Sequence, residues 1–242
     1  MDKLSFIDNC KRIFSLNSLT LSEEQAEKLF DLTERMLEVN KSMNLTAITE
    51  ENAVILKHYA DSVSMSEYIP QNASLLDVGC GAGFPTLPLA IFRPDIRITA
   101  LDGTAKRIEY VKAAANMLCL ANGTAIAGRA EDFAHKDEYR ESFDIVTARA
   151  VAELPILAEL CIPFAKKGGL FVAMKASQGE KEAEIAANAI KTCGGKILSV
   201  NKLSLTADGI NREERVIIKV EKVAPTLAKY PRHYSQISKK PL

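Results

Sequence analysis

The chain has 242 residues, 47% hydrophobic and 26% charged, which is enough apolar material for one sizeable domain with a full core. That composition excludes disorder and fibrous structure. Lys plus Arg and Asp plus Glu both number 31, and a protein that grips nucleic acid through its overall charge would not be neutral. The sum hides an asymmetry. Residues 1–70 carry 7 basic and 12 acidic side chains (−5), residues 71–220 carry 19 and 18 (+1), and residues 221–242 carry 5 and 1 (+4).

The five cysteines are odd in number, widely spaced and without a C-x-x-C pair, which fits neither a disulfide framework nor a metal site. The opening MDKLSFIDNCKRIF lacks the apolar run of a signal peptide, and nothing approaches ~18 consecutive apolar residues. A cytoplasmic, monomeric protein with no membrane partner and no metal is expected.

In chain order, residues 1–70 predict a helical cap. Ser22 and Gln25 form a capping box, Leu21 and Ala26 a hydrophobic staple. Ala26, Leu29, Phe30, Met36 and Leu37 then repeat at helical spacing as far as Val39. The polar stretch NKSMN breaks the pattern, a second helix is predicted over 53–68, and Pro70 closes the segment.

Beyond Pro70, short apolar runs alternate with amphipathic stretches. The runs are SLLDV, IRITAL, TAIAG, FDIVTA, GLFVAM, KILSV and RVIIKV; helices are predicted over 105–120, 155–164 and 178–192. This alternation predicts an α/β, Rossmann-like fold with a mostly parallel seven-stranded sheet covered on both faces. The last two strands, near 196–205 and 214–222, have no helix between them and predict a hairpin that adds an antiparallel strand at the sheet's end. Residues 71–222 would form the ligand-binding domain and 223–242 a basic tail.

The most informative stretch is Asp77-Val78-Gly79-Cys80-Gly81-Ala82-Gly83-Phe84-Pro85, an apolar strand running through a glycine loop into a helix. At the carboxyl end of a first strand, this is where an open α/β sheet binds a nucleotide-like ligand. The spacing is G-x-G-x-G, not the G-x-G-x-x-G of a dinucleotide site. Asp77, two residues before Gly79, would repel a pyrophosphate and suit an ammonium or sulfonium, which favours S-adenosylmethionine. Asp102 follows the second strand, placed to accept from both ribose hydroxyls; the competing reading is a helix cap, a role Thr104 also offers. Gly128-Arg129-Ala130-Glu131-Asp132-Phe133 lies on the same rim, where a backbone N–H and a side-chain carboxylate would read an adenine edge, with Phe84 or Phe133 against the ring; the competing reading of the charge is helix capping.

No group for nucleophile activation is evident. The chain has no Pro-Pro for an exocyclic-amine turn, and Cys80 and Cys161 lack a Pro-Cys setting and read as buried small residues. Arg149, ending the fourth strand, would stack on a base, hold a phosphate, meet the cofactor carboxylate or pair with an acid. His58 and His135 read as structural. The acceptor should therefore be nucleophilic already, as guanine N7 is.

Several ordered motifs now resemble one family, the bacterial RsmG (GidB) ribosomal RNA methyltransferases. They are Asn40-Lys41-Ser42-Met43-Asn44-Leu45-Thr46, His58-Tyr59-Ala60-Asp61-Ser62, the glycine loop, Leu101-Asp102, Gly128-Arg129-Ala130-Glu131, Ala148-Arg149-Ala150-Val151, Lys175 and the tail Tyr230-Pro231-Arg232 ending in Lys239-Lys240-Pro241-Leu242. The resemblance implies S-adenosylmethionine-dependent N7 methylation of one guanosine in the 16S RNA of the 30S subunit. It implies cofactor contacts at Gly79, Phe84, Ala130, Glu131 and Arg149, beside Asp77, Gly81 and Asp102 from the loop chemistry. RNA contacts would fall at Arg129, Lys175 and Arg232, with Lys239 and Lys240 in the same basic tail. The chain departs from the family pattern at Thr86, Gly103 and Ala176. Two other readings stay open at this point: a nicotinamide-dinucleotide oxidoreductase, and a non-catalytic RNA-binding module that retains a cofactor pocket.

Overall fold

A computed structural model describes residues 2–242. Helix α1 (Lys3–Leu16) is capped by Asp2, whose carboxylate accepts from the Ser5 amide. Helix α2 (Glu23–Met43) opens on the predicted capping box, with Ser22 and Gln25 each accepting from the other's amide. It continues four residues past Val39 because none of the polar residues there has to be buried, and it ends where Asn44 turns left-handed (φ 49°). The predicted second helix is three pieces: α3 (Glu51–Val54), a π-helical turn (Ile55–Ala60) and α4 (Asp61–Val63). The widened turn buries His58, Tyr59, Ala60 and Asp61 in succession, which a regular amphipathic helix would not do.

All seven apolar runs are strands: β1 (Ser74–Val78), β2 (Arg97–Asp102), β3 (Gly123–Ala127), β4 (Phe143–Arg149), β5 (Ala165–Ala176), β6 (Gly195–Leu205) and β7 (Glu213–Lys222). Between them lie α5 (Thr86–Phe92), α6 (Ala105–Met117), α7 (Ala130–Phe133), α8 (Leu154–Cys161), α9 (Gly179–Ile185) and α10 (Ala187–Thr192); α11 (Tyr234–Lys239) follows the sheet. The strand order is β3-β2-β1-β4-β5-β7-β6, so the winding reverses between β1 and β4, where such sheets open a crevice at their carboxyl ends. β7 is the antiparallel strand, and it sits one place in from the border, with β6 at the edge. The α9–α10 crossover carries β6 one position beyond β5's neighbour, and the hairpin returns β7 into that slot.

Two cores result. On one face, residues of α1 and α2 such as Phe6, Phe14, Leu32 and Met36 share a single apolar cluster with Leu75, Ile98 and Val172 of the sheet. The other face packs Leu157, Cys161 and Ile190 against Leu76, Val146 and Phe171. The tail is strapped to this second side. The Arg140 guanidinium donates to the carbonyls of Thr226, Leu227 and Tyr230, and Ile237 is fully buried.

Candidate active site

The glycine loop after β1 turns because Gly79 (φ 77°), Gly81 (φ 56°) and Gly83 (φ 86°) all take left-handed backbone. At Gly79 the restriction is double, since a Cβ there would lie 2.6 Å from a methyl carbon of Val151. Asp102, at the end of β2, braces the loop: one carboxylate oxygen accepts from the Gly81 amide at 2.9 Å and the other from the Thr104 amide at 2.8 Å. Thr104 is the N-cap residue of α6 but its side chain makes no capping bond; Asp102 holds the Thr104 amide just ahead of the helix. Each oxygen keeps a further lone pair for a ligand.

A cleft runs along the carboxyl ends of the strands on both sides of Asp102. The first lobe, about 300 Å³, is lined by Leu101, Ala130, Glu131, Val151, Leu160 and Tyr234. The second, about 370 Å³, is lined by Thr46, His58, Gly81, Phe84 and Arg149. Gly79, Asp102, Arg107 and Val151 border both. One lobe combines an apolar side (Leu101, Val151, Leu160) with the Glu131 carboxylate and the Arg107 and Arg129 side chains, the other sets a cation over an aromatic ring, and a ribose acceptor lies between them. That shape fits S-adenosylmethionine, whose three parts differ in the same order.

The structure brings Gly79, Gly81, Phe84, Asp102, Ala130, Glu131 and Arg149 together along this cleft. Asp77 is a correction. Its carboxylate is fully buried beneath the loop, where Thr86 donates to it at 2.6 Å, and it borders neither lobe. Thr86, one of the departures from the family pattern, is thus spent on Asp77. Phe133 also moves out: its ring fills the space under Gly128, where a Cβ would meet it at 2.2 Å, and it packs edge-on against Tyr139. Arg149 takes the ion-pair reading without leaving the cleft. Its Nη1 donates to Asp61 at 2.9 Å and to the Lys57 carbonyl at 2.6 Å, and its guanidinium lies over Phe84.

Two of the five basic residues expected to touch RNA are half-buried and paired with acids of the protein itself. Arg232 grips the buried Glu159 through two side-chain bonds of 2.7 and 2.9 Å and its own amide, and Lys175 pairs with Glu182 at 2.7 Å. Glu159 is fully buried 73 residues from Arg232 and draws it inward, while the half-buried Glu182 of the following helix holds Lys175 against the end of β5. Arg129, Lys239 and Lys240 remain exposed.

Sequence reasoning missed His58, Thr46, Asp61 and Tyr234. His58 stacks flat on Phe84 (4.2 Å between centroids, 5° between planes), and its Nε2 lies 2.9 Å from the Thr46 hydroxyl. Burial, with Arg149 nearby, pulls its pKa down to about 3, so the ring is neutral. The signal available was the Thr46 and His58 motifs themselves, which named the residues without giving a role. The Cys80 and Cys161 thiols are buried and pushed far above their ordinary range, so neither supplies a thiolate. Among the described residues no group of three or more His, Cys, Asp or Glu could hold a metal ion. No helix among them is long and apolar enough to cross a membrane.

Burial raises the Asp77 carboxyl to about 6 against an ordinary 3.8, outweighing the Thr86 bond and Arg149. A raised carboxyl stabilises the fold below its unfolded pKa and loses that contribution as pH climbs through the folded value. Asp77→Asn removes the titration. Its stability relative to the parent chain is therefore expected to rise by roughly 3 kcal/mol between about pH 4 and pH 7. Urea unfolding of both proteins across that range measures the difference; a flat difference would mean Asp77 is not held in this environment.

Residues 22–212 match the family model described as GidB, rRNA small subunit methyltransferase G. Among curated relatives named ribosomal RNA small subunit methyltransferase G, that of Limosilactobacillus reuteri is 44% identical over 231 residues, covering 93% of this chain and 95% of the relative. The Bacillus licheniformis protein is 43% identical, covering 93% of each chain. Solved structures share the fold at low identity. A putative methyltransferase from Bacillus halodurans has a TM-score of 0.51 at 14% identity over 68% of this chain and 100% of its own. TYW2 of P. horikoshii, solved with MeSAdo, has 0.53 at 14% over 67% and 62%. The oxidoreductase and non-catalytic readings fall against these matches. With its sheet order, its glycine loop and the braced Asp102, the chain belongs to the GidB family of S-adenosylmethionine-dependent small-subunit rRNA methyltransferases.

Proposed function

We propose that this enzyme methylates N7 of one guanosine in 16S ribosomal RNA on the 30S subunit, working as a cytoplasmic monomer. The observation that carries the choice of acceptor is the lining of the second lobe. Its titratable side chains are His58, Cys80, Asp102, Arg107 and Arg149. Burial and Arg149 make His58 a very weak proton acceptor, with its Nε2 against the Thr46 hydroxyl, and the Cys80 thiol stays protonated, while each Asp102 oxygen accepts from one backbone amide. The lobe thus holds no side chain set up as a general base apart from Asp102, which the cofactor ribose would occupy, and this suits an acceptor that brings its own lone pair, as guanine N7 does.

S-adenosylmethionine, when bound, supplies a methyl group activated by its sulfonium. The chain's part is alignment. Asp102 would accept from the ribose hydroxyls, Ala130 and Glu131 would read the adenine edge, and Gly79 and Gly81 would let the backbone approach. Phe84 and Arg149 would shape the far lobe around the methionine end. Asp77 contributes by stiffening the loop from below. RNA contacts fall to Arg129, Lys239 and Lys240. In this division residues 1–70 are a helical extension, 71–222 the catalytic body and 223–242 a tail that serves both.

Purified protein with labelled donor is expected to methylate 30S subunits, with the label mapping to N7 of a single guanosine; incorporation elsewhere or none would overturn the assignment. Asp102→Ala should weaken S-adenosylhomocysteine binding by about 1–3 kcal/mol, read by calorimetry. Unchanged affinity would remove Asp102 from the ribose site.

A further inference from the structure

The carboxyl-terminal segment reaches a place its basic composition did not indicate. Tyr234 borders the first lobe of the cleft together with Gly128 and Glu131. Its amide donates to a Glu131 carboxylate oxygen at 3.3 Å, and the Arg129 guanidinium lies over its ring at 5.0 Å while also meeting Glu131 at 3.4 Å. Gly103 makes room for that arrangement, since a Cβ there would lie 3.3 Å from the Arg129 side chain.

The segment is built to hold this ring still. Glu159, fully buried in α8, takes the Arg232 amide and two of its guanidinium nitrogens. Nη2 of Arg232 also donates to the Lys240 carbonyl at 3.1 Å, closing the turn on itself. His135 Nε2 donates to the Pro231 carbonyl at 2.8 Å, and Ile237 and Leu242 pack into the core on that face. Such anchoring exceeds what a flexible RNA-binding tail requires. A tyrosine ring pinned at the rim of a lobe that also carries Leu101, Val151 and Leu160 is a stacking surface for a planar heterocycle.

We propose that residues 230–242 form a wall of the cofactor cleft, with the Tyr234 ring packing on the adenine of S-adenosylmethionine and the Arg232–Glu159 pair holding that ring in position. The inference rests on the assignment of the first lobe to the nucleoside half of the cofactor. Tyr234 is then a binding residue and Arg232 a positioning residue. Cofactor affinity depends on a segment outside the strand–loop–helix motifs that define the fold.

The chain contains no tryptophan, so Tyr234→Trp introduces a unique fluorophore at the wall. Its emission should change saturably with S-adenosylhomocysteine and with 5′-methylthioadenosine, which carries only the nucleoside half, and should ignore methionine. Tyr234→Ala should raise the Kd for S-adenosylhomocysteine roughly tenfold, with Tyr234→Phe restoring most of the affinity. Arg232→Ala should weaken cofactor binding as well; a lowered Tm with unchanged Kd would make the pair a mere anchor and overturn its positioning role. If the parent chain binds S-adenosylhomocysteine and Tyr234→Ala binds it equally, the wall is overturned while the cofactor cleft stands. If the parent chain binds neither compound, the assignment of the cleft itself fails.

Discussion

Replacing Gly79 by alanine is expected to cut methyl transfer sharply at limiting cofactor while leaving the protein folded. The backbone at Gly79 is left-handed (φ 77°), which costs an alanine about 1–2 kcal/mol. The added Cβ would stand 2.6 Å from one Val151 methyl and 3.3 Å from the other. Valine is stiff about χ1, so relief comes only by pushing Val151 into the cleft or lifting the loop off Asp102. Val151 borders both lobes, and either movement deforms the space between the ribose acceptor and the methionine end. Strain and overpacking together come to about 3 kcal/mol, or a loss of roughly 100-fold in cofactor affinity. Calorimetry with S-adenosylhomocysteine checks it. Gly79→Ala combined with Val151→Ala should recover part of the loss, because the clash is removed and the backbone strain is not. Full affinity in the single variant would place the cofactor elsewhere.

Asp61→Ala should be the most destabilising single change near the site. Asp61 is buried, with one oxygen on Arg149 at 2.9 Å and the other on Arg215 at 3.1 Å. Both guanidiniums are themselves largely buried, with side chains 14% and 19% exposed. Removing the carboxylate leaves two like charges facing each other without their counter-ion. Breaking a buried pair by deleting one partner typically costs about 3–5 kcal/mol. For a chain of this size that corresponds to a fall in Tm of roughly 10 °C. Arg149 would keep its bond to the Lys57 carbonyl and Arg215 its contact with Glu213, so the fold should survive at low temperature. Activity should fall further than stability accounts for, because Arg149 loses its fixed position over Phe84. A Tm within 2 °C of the parent chain would show that the bridge contributes nothing net.

Asp61 also bears on what the helical extension does. It lies in α4, yet its two partners end β4 and begin the body of β7. Lys57 on the preceding π turn pairs with Glu213 at 2.9 Å, and the Arg12 guanidinium of α1 donates to the Ala207 carbonyl in the hairpin loop. The extension is therefore tied to the catalytic face at three separate places and shares its core. Its acidic excess includes a carboxylate spent on the body's arginines. In the same way the +4 of residues 221–242 is partly internal, since Lys222 is buried against Glu141 and Arg232 against Glu159. Lys229, Lys239 and Lys240 are the cations of that segment left at the surface.

Local sequence was enough to specify the seven strands, the glycine loop, the place of Asp102 and the alternation that makes most of the sheet parallel. These depend on residues a few positions apart: apolar runs of strand length, glycines where φ must be positive, an acid at a strand's end. It also determined the capping box at Ser22 and the hairpin before β7. The tertiary structure alone decided that the hairpin strand enters the sheet beside β5, that Asp77 lies under the loop, and that Phe133 fills the space below Gly128. It alone decided which charges are spent. Arg149 and Asp61 are 88 residues apart, and Arg232 and Glu159 are 73 apart. A charge in a sequence looks the same whether it will face water, RNA or a buried acid. Burial separates those outcomes, because an unpaired charge can stay in solvent at little cost but must find its partner once the chain closes over it. That partner is chosen by the packing of whole helices and strands, which local periodicity does not encode.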